Sequence, residues 1–434
     1  MTENAKWYRL DNAAKLYPSI RTSRWSSVYR LSISLTEPID KKLLELAAAR
    51  AVKRTPAFSL QLKRGLFWFY FEQNDQTPIV YEDVLYPCGN IRPALNNGFL
   101  FKLRYYNNRI ALEVFHSLSD GSGGMIFLKT VVAQYLELKY NIKIPPSDGV
   151  LDVNAPPEAE EMEDAYKKYA NLNRKRSRRE DAAFQCGGEP LPEDCLNIIT
   201  AHMPLEPLLS LAKKYKCSLT EYLVSVYIWA IYGIECSQRR RRYKPVKISV
   251  PVNMRRFYPS RTLRNFSLFV NPGIDPGMGE YTFEEVTRQV HYFMRYEINA
   301  KALNAQMAAN VGSERNPAVR VMPLFVKKFA LGMVYKMAGE SRFSGTLSNL
   351  GEIKFPEEMK KYITDVSFML GRSRVNSTAA AMLSYDKTAV ITFTRSVKSA
   401  EVERRFFTFL VKSGVHVKIE SNNPEEGQTN VILR

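Results

Sequence analysis

The segment from residue 100 to residue 138 constrains the fold of this chain more than any other. Leu100–Tyr106 and Ile110–Phe115 are rich in aromatic and branched residues, which predicts two β-strands. Asn107-Asn108 between them tolerates the positive φ of a tight hairpin turn. A glycine cluster then leads through a sharp turn into the apolar run Met125–Leu138, which predicts a helix packed behind the strands. The segment therefore predicts a β-hairpin that feeds into a helix.

A histidine, His116, directly follows the second predicted strand. The chain has four histidines, and this is the one set among groups that could make it a base. Because strand side chains alternate between faces, His116 joins the apolar face and Glu113 points the other way. Burial keeps an imidazole neutral, as a general base requires. Two interpretations stay open from the residues alone: a structural histidine that ends an apolar strand, and a base whose loop is held or oriented by Asp120.

The six residues from His116 to Gly121 read His-Ser-Leu-Ser-Asp-Gly. They match the H-x-x-x-D-G signature of the acyltransferase superfamily that includes chloramphenicol acetyltransferase, peptide-synthetase condensation domains, plant BAHD acyltransferases and mycobacterial Pap-type enzymes. Within that superfamily, the chain most resembles the bacterial alcohol acetyltransferase-like branch. Condensation domains usually carry a second histidine just before the first, and Phe115 stands there instead. This departure favours a stand-alone acyltransferase.

Two further segments support the resemblance. Val250–Arg256, followed by Leu263–Phe266, resembles the family's strand that ends in an arginine and the short asparagine-bearing strand after it. The resemblance implies that Arg255, or Arg256 as the competing position, bonds the motif aspartate and fixes the histidine loop. A surface arginine is the alternative.

The second of these segments is Ser344–Gly351, which resembles the Ser-Asn-Leu-Gly strand end of Pap-like relatives. In the family this position borders the acyl site. Ser348 or Asn349 is therefore a candidate donor to a developing oxyanion, and capping of the strand end is an equal alternative.

The resemblance implies an α/β fold of two chloramphenicol acetyltransferase-like lobes, each a mixed sheet with helices, with an active-site channel between them. It implies an O-acyltransferase in which His116 takes the proton of an alcohol as its oxygen attacks an acyl-CoA thioester, with acetyl as the expected acyl group. Asp120, paired with Arg255, would hold the loop and orient the base. The resemblance calls for acyl-CoA as co-substrate, an alcohol as acceptor and no permanently bound cofactor.

Two alternatives to this function stay open. The first is a condensation or release enzyme that takes its acyl chain from an acyl carrier protein and forms an amide or an ester. The second is a catalytically silent binding protein with the same fold. The retention of His116, Asp120 and Arg255 together weighs against the silent protein.

A chain of 434 residues is too long for one ordinary core and predicts two domains. We expect an N-terminal lobe over 1–145, a charged connector over 146–194 and a C-terminal lobe over 195–434. The connector holds opposed charge runs, which indicate a solvated segment. Outside residues 100–138, the pattern predicts helices at Trp7–Tyr17, Lys41–Lys53, Leu219–Ile234, Phe283–Ala300, Met322–Ala338 and Val402–Lys412. It predicts strands at Ser26–Leu35, Phe58–Leu62, Leu66–Phe71, Val246–Val252, Thr364–Leu370, Ala379–Tyr385 and Ala389–Thr394, the first three in one sheet.

Several classes of protein are disfavoured by the composition. Five cysteines, without any C-x-x-C pair, indicate reduced thiols of a cytoplasmic protein, and no histidine–carboxylate cluster indicates a metal site. Met1–Leu10 lacks the apolar core of a signal peptide. The longest apolar stretch, Tyr222–Ile234, is shorter than the ~20 residues that a transmembrane helix needs, so we expect no membrane span.

The formal net charge of +18 predicts an anionic partner. The densest patch, Arg239–Arg242, stands at the expected end of a helix, where cations suit the helix dipole. No nucleic-acid-binding signature accompanies it, so we expect no nucleic-acid partner. A phosphate-bearing acyl-CoA or an acidic carrier protein accounts for the charge. The apolar segment Met322–Met337 either lines an acceptor channel or belongs to the core.

Overall fold

The computed structural model describes residues 6–22, 25–173, 180–238, 242–314 and 316–423. In chain order the strands are β1 Trp7–Arg9, β2 Val28–Leu35, β3 Leu60–Arg64, β4 Phe69–Gln73, β5 Val80–Glu82, β6 Phe101–Tyr106, β7 Arg109–Phe115, β8 Asn197–Pro204, β9 Val246–Asn253, β10 Ser267–Val270, β11 Gly273–Ile274, β12 Gly345–Glu352, β13 Ile363–Leu370, β14 Thr378–Tyr385, β15 Thr388–Arg395 and β16 Lys418–Ser421. The helices are α1 Leu16–Ile20, α2 Lys41–Arg54, α3 Gly121–Tyr140, α4 Ala165–Tyr169, α5 Leu205–Lys214, α6 Leu219–Ser237, α7 Phe283–Glu297, α8 Ala300–Glu314, α9 Pro317–Val321, α10 Leu324–Ala338, α11 Glu357–Lys360 and α12 Glu401–Lys412.

The N-terminal lobe is built on a five-stranded sheet of order β13-β2-β7-β6-β5. The predicted hairpin is present as β6 and β7, and Asn107 takes the positive φ of 48° at its turn. Apolar side chains of β2, β7 and α3 share one large buried cluster. α3 begins at Gly121 and is capped by Asp120, so it starts four residues earlier than the expected Met125. The cap therefore sets the distance between the histidine loop and the helix.

The C-terminal lobe is built on a larger mixed sheet of order β10-β9-β12-β14-β15-β8-β16, with β11 added beside β9. β12 runs parallel to both β9 and β14, and the other pairs are antiparallel. A tight turn joins β14 to β15, with positive φ at Asp386 and Lys387. α6 begins with a capping box between Ser218 and Glu221, and packs its apolar side chains into the second buried cluster.

One strand ties the two lobes together. β13 belongs to the C-terminal part of the chain, yet it pairs antiparallel with β2 along its whole length in the N-terminal sheet. The chain thus leaves the C-terminal sheet after β12, adds a strand to the other lobe and returns as β14. The division of the chain at residues 145 and 195 stays a proposal. β13 does not follow it, because this strand belongs to the C-terminal part by sequence and to the N-terminal sheet by pairing.

Three sequence-based expectations are wrong in detail. The expected helix Trp7–Tyr17 is instead strand β1, a turn that Asp11 closes by accepting a bond from the Ala14 amide, and then α1. β3 and β4 do not join the sheet of β2: β4 pairs with β3 on one side and with β1 on the other, because the N-terminal segment supplies the third strand of a separate sheet. The expected helix Phe283–Ala300 ends at Glu297, where Ile298 leaves helical geometry, and α8 begins at Ala300.

The structure describes little of the two basic runs. Outside the described ranges lie the whole run Arg174–Arg179 and all of the Arg239–Arg242 patch except its last residue.

Among the described residues, no single helix combines the length and hydropathy needed to cross a bilayer. α5 and α6 reach that level only together, and they meet at a bend of 82°. All five cysteines are free thiols.

Candidate active site

A cavity of about 700 Å³ brings the predicted site residues of both lobes together. His116, Asp120 and Gly121 line it from the N-terminal lobe, and Ser348 and Asn349 line it from the C-terminal lobe. Its remaining wall includes aromatic and polar side chains from both halves of the chain: Tyr17, Trp25, Tyr29, Asn253, Arg256, Tyr335, Phe343 and Phe368. The half-buried His116 therefore faces a space large enough for a small molecule.

The imidazole of His116 is held on several sides. Its backbone amide donates to the carbonyl of Ser27 at 2.8 Å, which fixes the loop against the start of β2. The ring of Tyr17 stacks on the imidazole with centroids 4.6 Å apart, and the ring of Tyr29 meets it edge-on at 5.3 Å. Nδ1 lies 3.0 Å from Oδ1 of Asn265. These contacts leave the ring little freedom to rotate.

The surroundings of Asn265 define which nitrogen of His116 carries the proton. The amide nitrogen of Asn265 faces two acceptors, Oδ2 of Asp11 and the carbonyl of Ser117, each at 3.5 Å. Oδ1 of Asn265 must then face the imidazole, where it accepts a hydrogen bond from Nδ1–H. Nε2 is left with its lone pair, which is the form a general base needs.

Burial also favours the neutral imidazole. It lowers the pKa of His116 below its ordinary value, because a charged ring would lose its hydration. The histidine's own backbone carbonyl, the negative charge of Asp120 and the hydrogen bond to Asn265 act in the opposite direction but do not outweigh burial. The imidazole is therefore unprotonated near neutral pH.

Asp120 and Arg255 form an ion pair beneath the histidine loop, with Nη1 of Arg255 2.8 Å from Oδ2 of Asp120. The same carboxylate accepts from the backbone amides of Gly123 and Phe266. The guanidinium also donates to the carbonyls of Thr262 and, through Nη2, of Arg264. The pair thus joins the start of α3 to the loop between β9 and β10, across the lobes.

Of the two arginines weighed from the sequence, Arg255 is the one that pairs with Asp120. Arg256 instead lines the cavity.

The glycines after Asp120 serve close packing rather than a sharp turn. Gly121, Gly123 and Gly124 all lie within the first turn of α3, and none has a positive φ. A Cβ on Gly123 would lie 2.2 Å from the carbonyl oxygen of Leu263 and 2.3 Å from Oγ of Ser119. A Cβ on Gly121 would lie 2.9 Å from the Leu350 side chain, which is flexible. At Gly123, therefore, the two lobes approach so closely that no side chain can be accommodated.

Two hydrogen bonds engage the side chain of Asn349. The Asn349 amide donates to Oγ1 of Thr220 at 2.9 Å, and its oxygen accepts from the amide of Gly351 at 2.7 Å. Both of its polar ends therefore stabilise the local structure. Ser348 is the other of the two candidates, and it lines the cavity as well.

Sequence reasoning missed several residues that surround the histidine. Asn265 was included in the family-like segment Leu263–Phe266, but only as part of a strand. Tyr17 and Asp11 were placed in an opening helix with no link to the site. Burial raises the pKa of Asp11 to about 6, although the nearby Arg264 opposes this. No local pattern connects these residues to His116, because they reach it only through the fold.

Within the described ranges, no group of three or more His, Cys, Asp or Glu side chains is arranged to hold a metal ion.

No protein-family model matches this sequence, and no curated protein matches it either. Solved structures do share its fold. The fold is that of CoA-dependent acyltransferases and condensation domains. TRI101 of Fusarium sporotrichioides, solved with coenzyme A and T-2, aligns with a TM-score of 0.63 at 12% identity over 96% of this chain and 100% of its own.

Two other structures with this fold differ in their chemistry. The trichothecene 15-O-acetyltransferase TRI3 of the same fungus aligns with a TM-score of 0.60 at 11% identity, over 94% of each chain. The starter condensation domain of rhizomide synthetase, solved with C8-CoA, gives 0.58 at 14% identity over 94% of this chain and 95% of that one. The expected two-lobed α/β architecture is thereby confirmed.

Proposed function

We propose that this protein is an O-acyltransferase that moves an acyl group, acetyl in the simplest case, from acyl-CoA to an alcohol. The observation that carries the proposal is the state of His116: it faces the cavity and donates Nδ1–H to Asn265, which leaves a lone pair on Nε2. The likeness to acyl-CoA-dependent enzymes, and the resemblance to the alcohol acetyltransferase-like branch, support the reaction class.

The proposed reaction is a direct transfer with His116 as general base. Nε2 takes the proton of the acceptor hydroxyl as the alcohol oxygen forms a bond to the thioester carbonyl carbon. The tetrahedral adduct then loses its C–S bond, and the proton on Nε2 passes to the leaving thiolate. The products are an ester and free CoA, and the base returns to its starting form.

Asp120 and Arg255 are assigned a positioning role. Their ion pair lies under the loop, and the carboxylate is already engaged by two backbone amides. Of the two oxyanion candidates, Ser348 is the better one, since its hydroxyl borders the cavity while the Asn349 amide bonds to Thr220. A preorganised donor of this kind contributes ~2.7–4 kcal/mol where it has been measured.

The test is acyl transfer by the purified protein. Acetyl-CoA is mixed with a panel of alcohols, thiol release is followed with time, and the ester is identified by mass. We expect ester formation by the wild type and its loss in His116→Ala. His416→Ala is the matched control, because His416 is exposed and remote in sequence from every cavity residue. Equal rates for His116→Ala and wild type would overturn the assignment of the base.

A carrier-protein-dependent condensation or release enzyme is the second candidate. Condensation domains share this fold, which is the observation that favours it. Transfer from phosphopantetheine-loaded carrier protein, without transfer from free acyl-CoA, would select this candidate. No product from either donor across the alcohol and amine panels would point to a catalytically silent protein.

A further inference from the structure

A patch of exposed apolar side chains covers the outer face of α10 and the tip of the hairpin between β3 and β4. Phe325, Phe329 and Met333 recur every fourth residue of α10 and so share one helix face, with Phe325 68% and Phe329 71% exposed. Leu66 and Phe67 of the hairpin tip and Val321 of α9 are also exposed. We refer to these six residues as the apolar stripe. Exposure of so many large apolar side chains marks an interaction surface.

The stripe is a fixed surface, because the hairpin is fastened to the helix. The backbone amide of Leu324 donates to the carbonyl of Leu66 at 2.9 Å. The buried ammonium of Lys327 donates to the carbonyl of Phe67 at 2.9 Å and lies 3.6 Å from the centre of the Trp68 ring. Both parts of the stripe are therefore presented together.

The exposed charged side chains within the two segments that carry the stripe are cationic. Arg320 and Lys328 are exposed beside its helical part, and Arg9 and Arg64 are exposed at the hairpin end of the three-stranded sheet. Residues 60–71 and 316–339 contain no aspartate or glutamate. An apolar face bordered by cations is the pattern of helices that lie in the interface of an anionic bilayer.

Another side of α10 faces the cavity. Tyr335 lines the cavity and stacks on Trp25, another cavity residue, with ring centroids 5.1 Å apart. A single helix therefore separates the cavity from the apolar stripe.

We propose that the apolar stripe docks this protein on the surface of an anionic lipid bilayer. Self-association through the same stripe is disfavoured, because a twofold contact would bring the cationic borders of two chains of charge +18 together. A bilayer with acidic headgroups neutralises those borders and receives the aromatic side chains. The proposal concerns where the protein acts and holds for any acyl donor or acceptor.

The test is flotation of the full-length protein with vesicles. One set contains phosphatidylcholine with phosphatidylglycerol, and the other contains phosphatidylcholine alone. We expect binding to the first set, reduced by high salt, and about tenfold weaker binding to the second. The double variant Phe325→Ser/Phe329→Ser should lose binding by about tenfold or more. Tyr292→Ser/Tyr296→Ser is the matched control: it removes two exposed aromatic rings, also four residues apart, from α7.

Three results would overturn the proposal. The first is no flotation of the wild type with anionic vesicles. The second is an equal loss of flotation in the α10 and α7 double variants. The third is a wild type that sediments as a dimer and does not float, together with a monomeric α10 variant, which would assign the stripe to self-association. Circular dichroism of both variants checks that they are folded.

Discussion

Asn265 Oδ1 accepts a hydrogen bond from Nδ1 of His116 at 3.0 Å, across 149 residues of sequence. Asn265 is almost fully buried and does not line the cavity. It therefore orients the imidazole from behind, where no substrate reaches it.

Replacement of Asn265 with alanine is expected to lower kcat by about 10- to 100-fold with little change in KM. The imidazole loses a buried hydrogen-bond acceptor, worth about 1–3 kcal/mol, and with it the preference for a proton on Nδ1. Steady-state kinetics with acetyl-CoA and an active alcohol measure the effect. A tenfold rise in KM at unchanged kcat would show that Asn265 acts on binding instead.

The pH dependence of kcat/KM should show a single acid limb below about pH 6.5, the ordinary pKa of histidine. Burial lowers the pKa of His116, so the ring gains its proton, and the base is lost, only as the pH falls through that lowered value. Above it, activity should be flat through neutral pH. Asn265→Asp places a carboxylate beside the ring, which favours the imidazolium and should move the limb to higher pH. A wild-type limb above pH 7 would contradict the assignment of His116 as the base.

Arg255→Met is expected to lower the free energy of unfolding by about 3–5 kcal/mol, because it leaves the buried carboxylate of Asp120 without its ion-pair partner. Arg261→Met is the control: Arg261 pairs with Glu158 in the same way, but on an exposed surface where such pairs contribute about 0–1 kcal/mol. Urea denaturation of the two variants gives the comparison. A similar decrease in the free energy of unfolding of both variants would show that the Asp120–Arg255 pair stabilises the protein no more than an exposed ion pair does.

Gly123→Ala should destabilise the protein strongly or prevent its folding, since the new methyl group would overlap the Leu263 carbonyl, which belongs to the backbone of the other lobe. Gly332→Ala supplies the contrast. A Cβ at Gly332 meets no atom within 4 Å, and alanine is favoured over glycine inside a helix by about 0.8–1.0 kcal/mol. Melting temperatures should therefore shift in opposite directions. A Gly123→Ala variant as stable as wild type would refute the close-packing role.

The sequence alone determined the parts of this protein that depend on neighbours along the chain. The β6–β7 hairpin, the capping box of α6 and the turn at Asp386 each follow from residues within a few positions of one another. The candidate base was also evident, because His116 lies in a recognisable six-residue pattern. Where local propensity competed with pairing to a distant strand, as at Trp7–Tyr17, the prediction was wrong.

Tertiary structure decided everything that depends on contacts between distant segments. It selected Arg255 over Arg256, brought Asn265 and Tyr17 to the imidazole, and placed β13 in the opposite sheet. The physical reason is that hydrogen bonds and packing act over a few ångströms in space, whatever the separation in sequence. A hydrogen-bonding pattern spread over residues 11, 116 and 265 leaves no periodic signal in the chain, and only the closed fold reveals it.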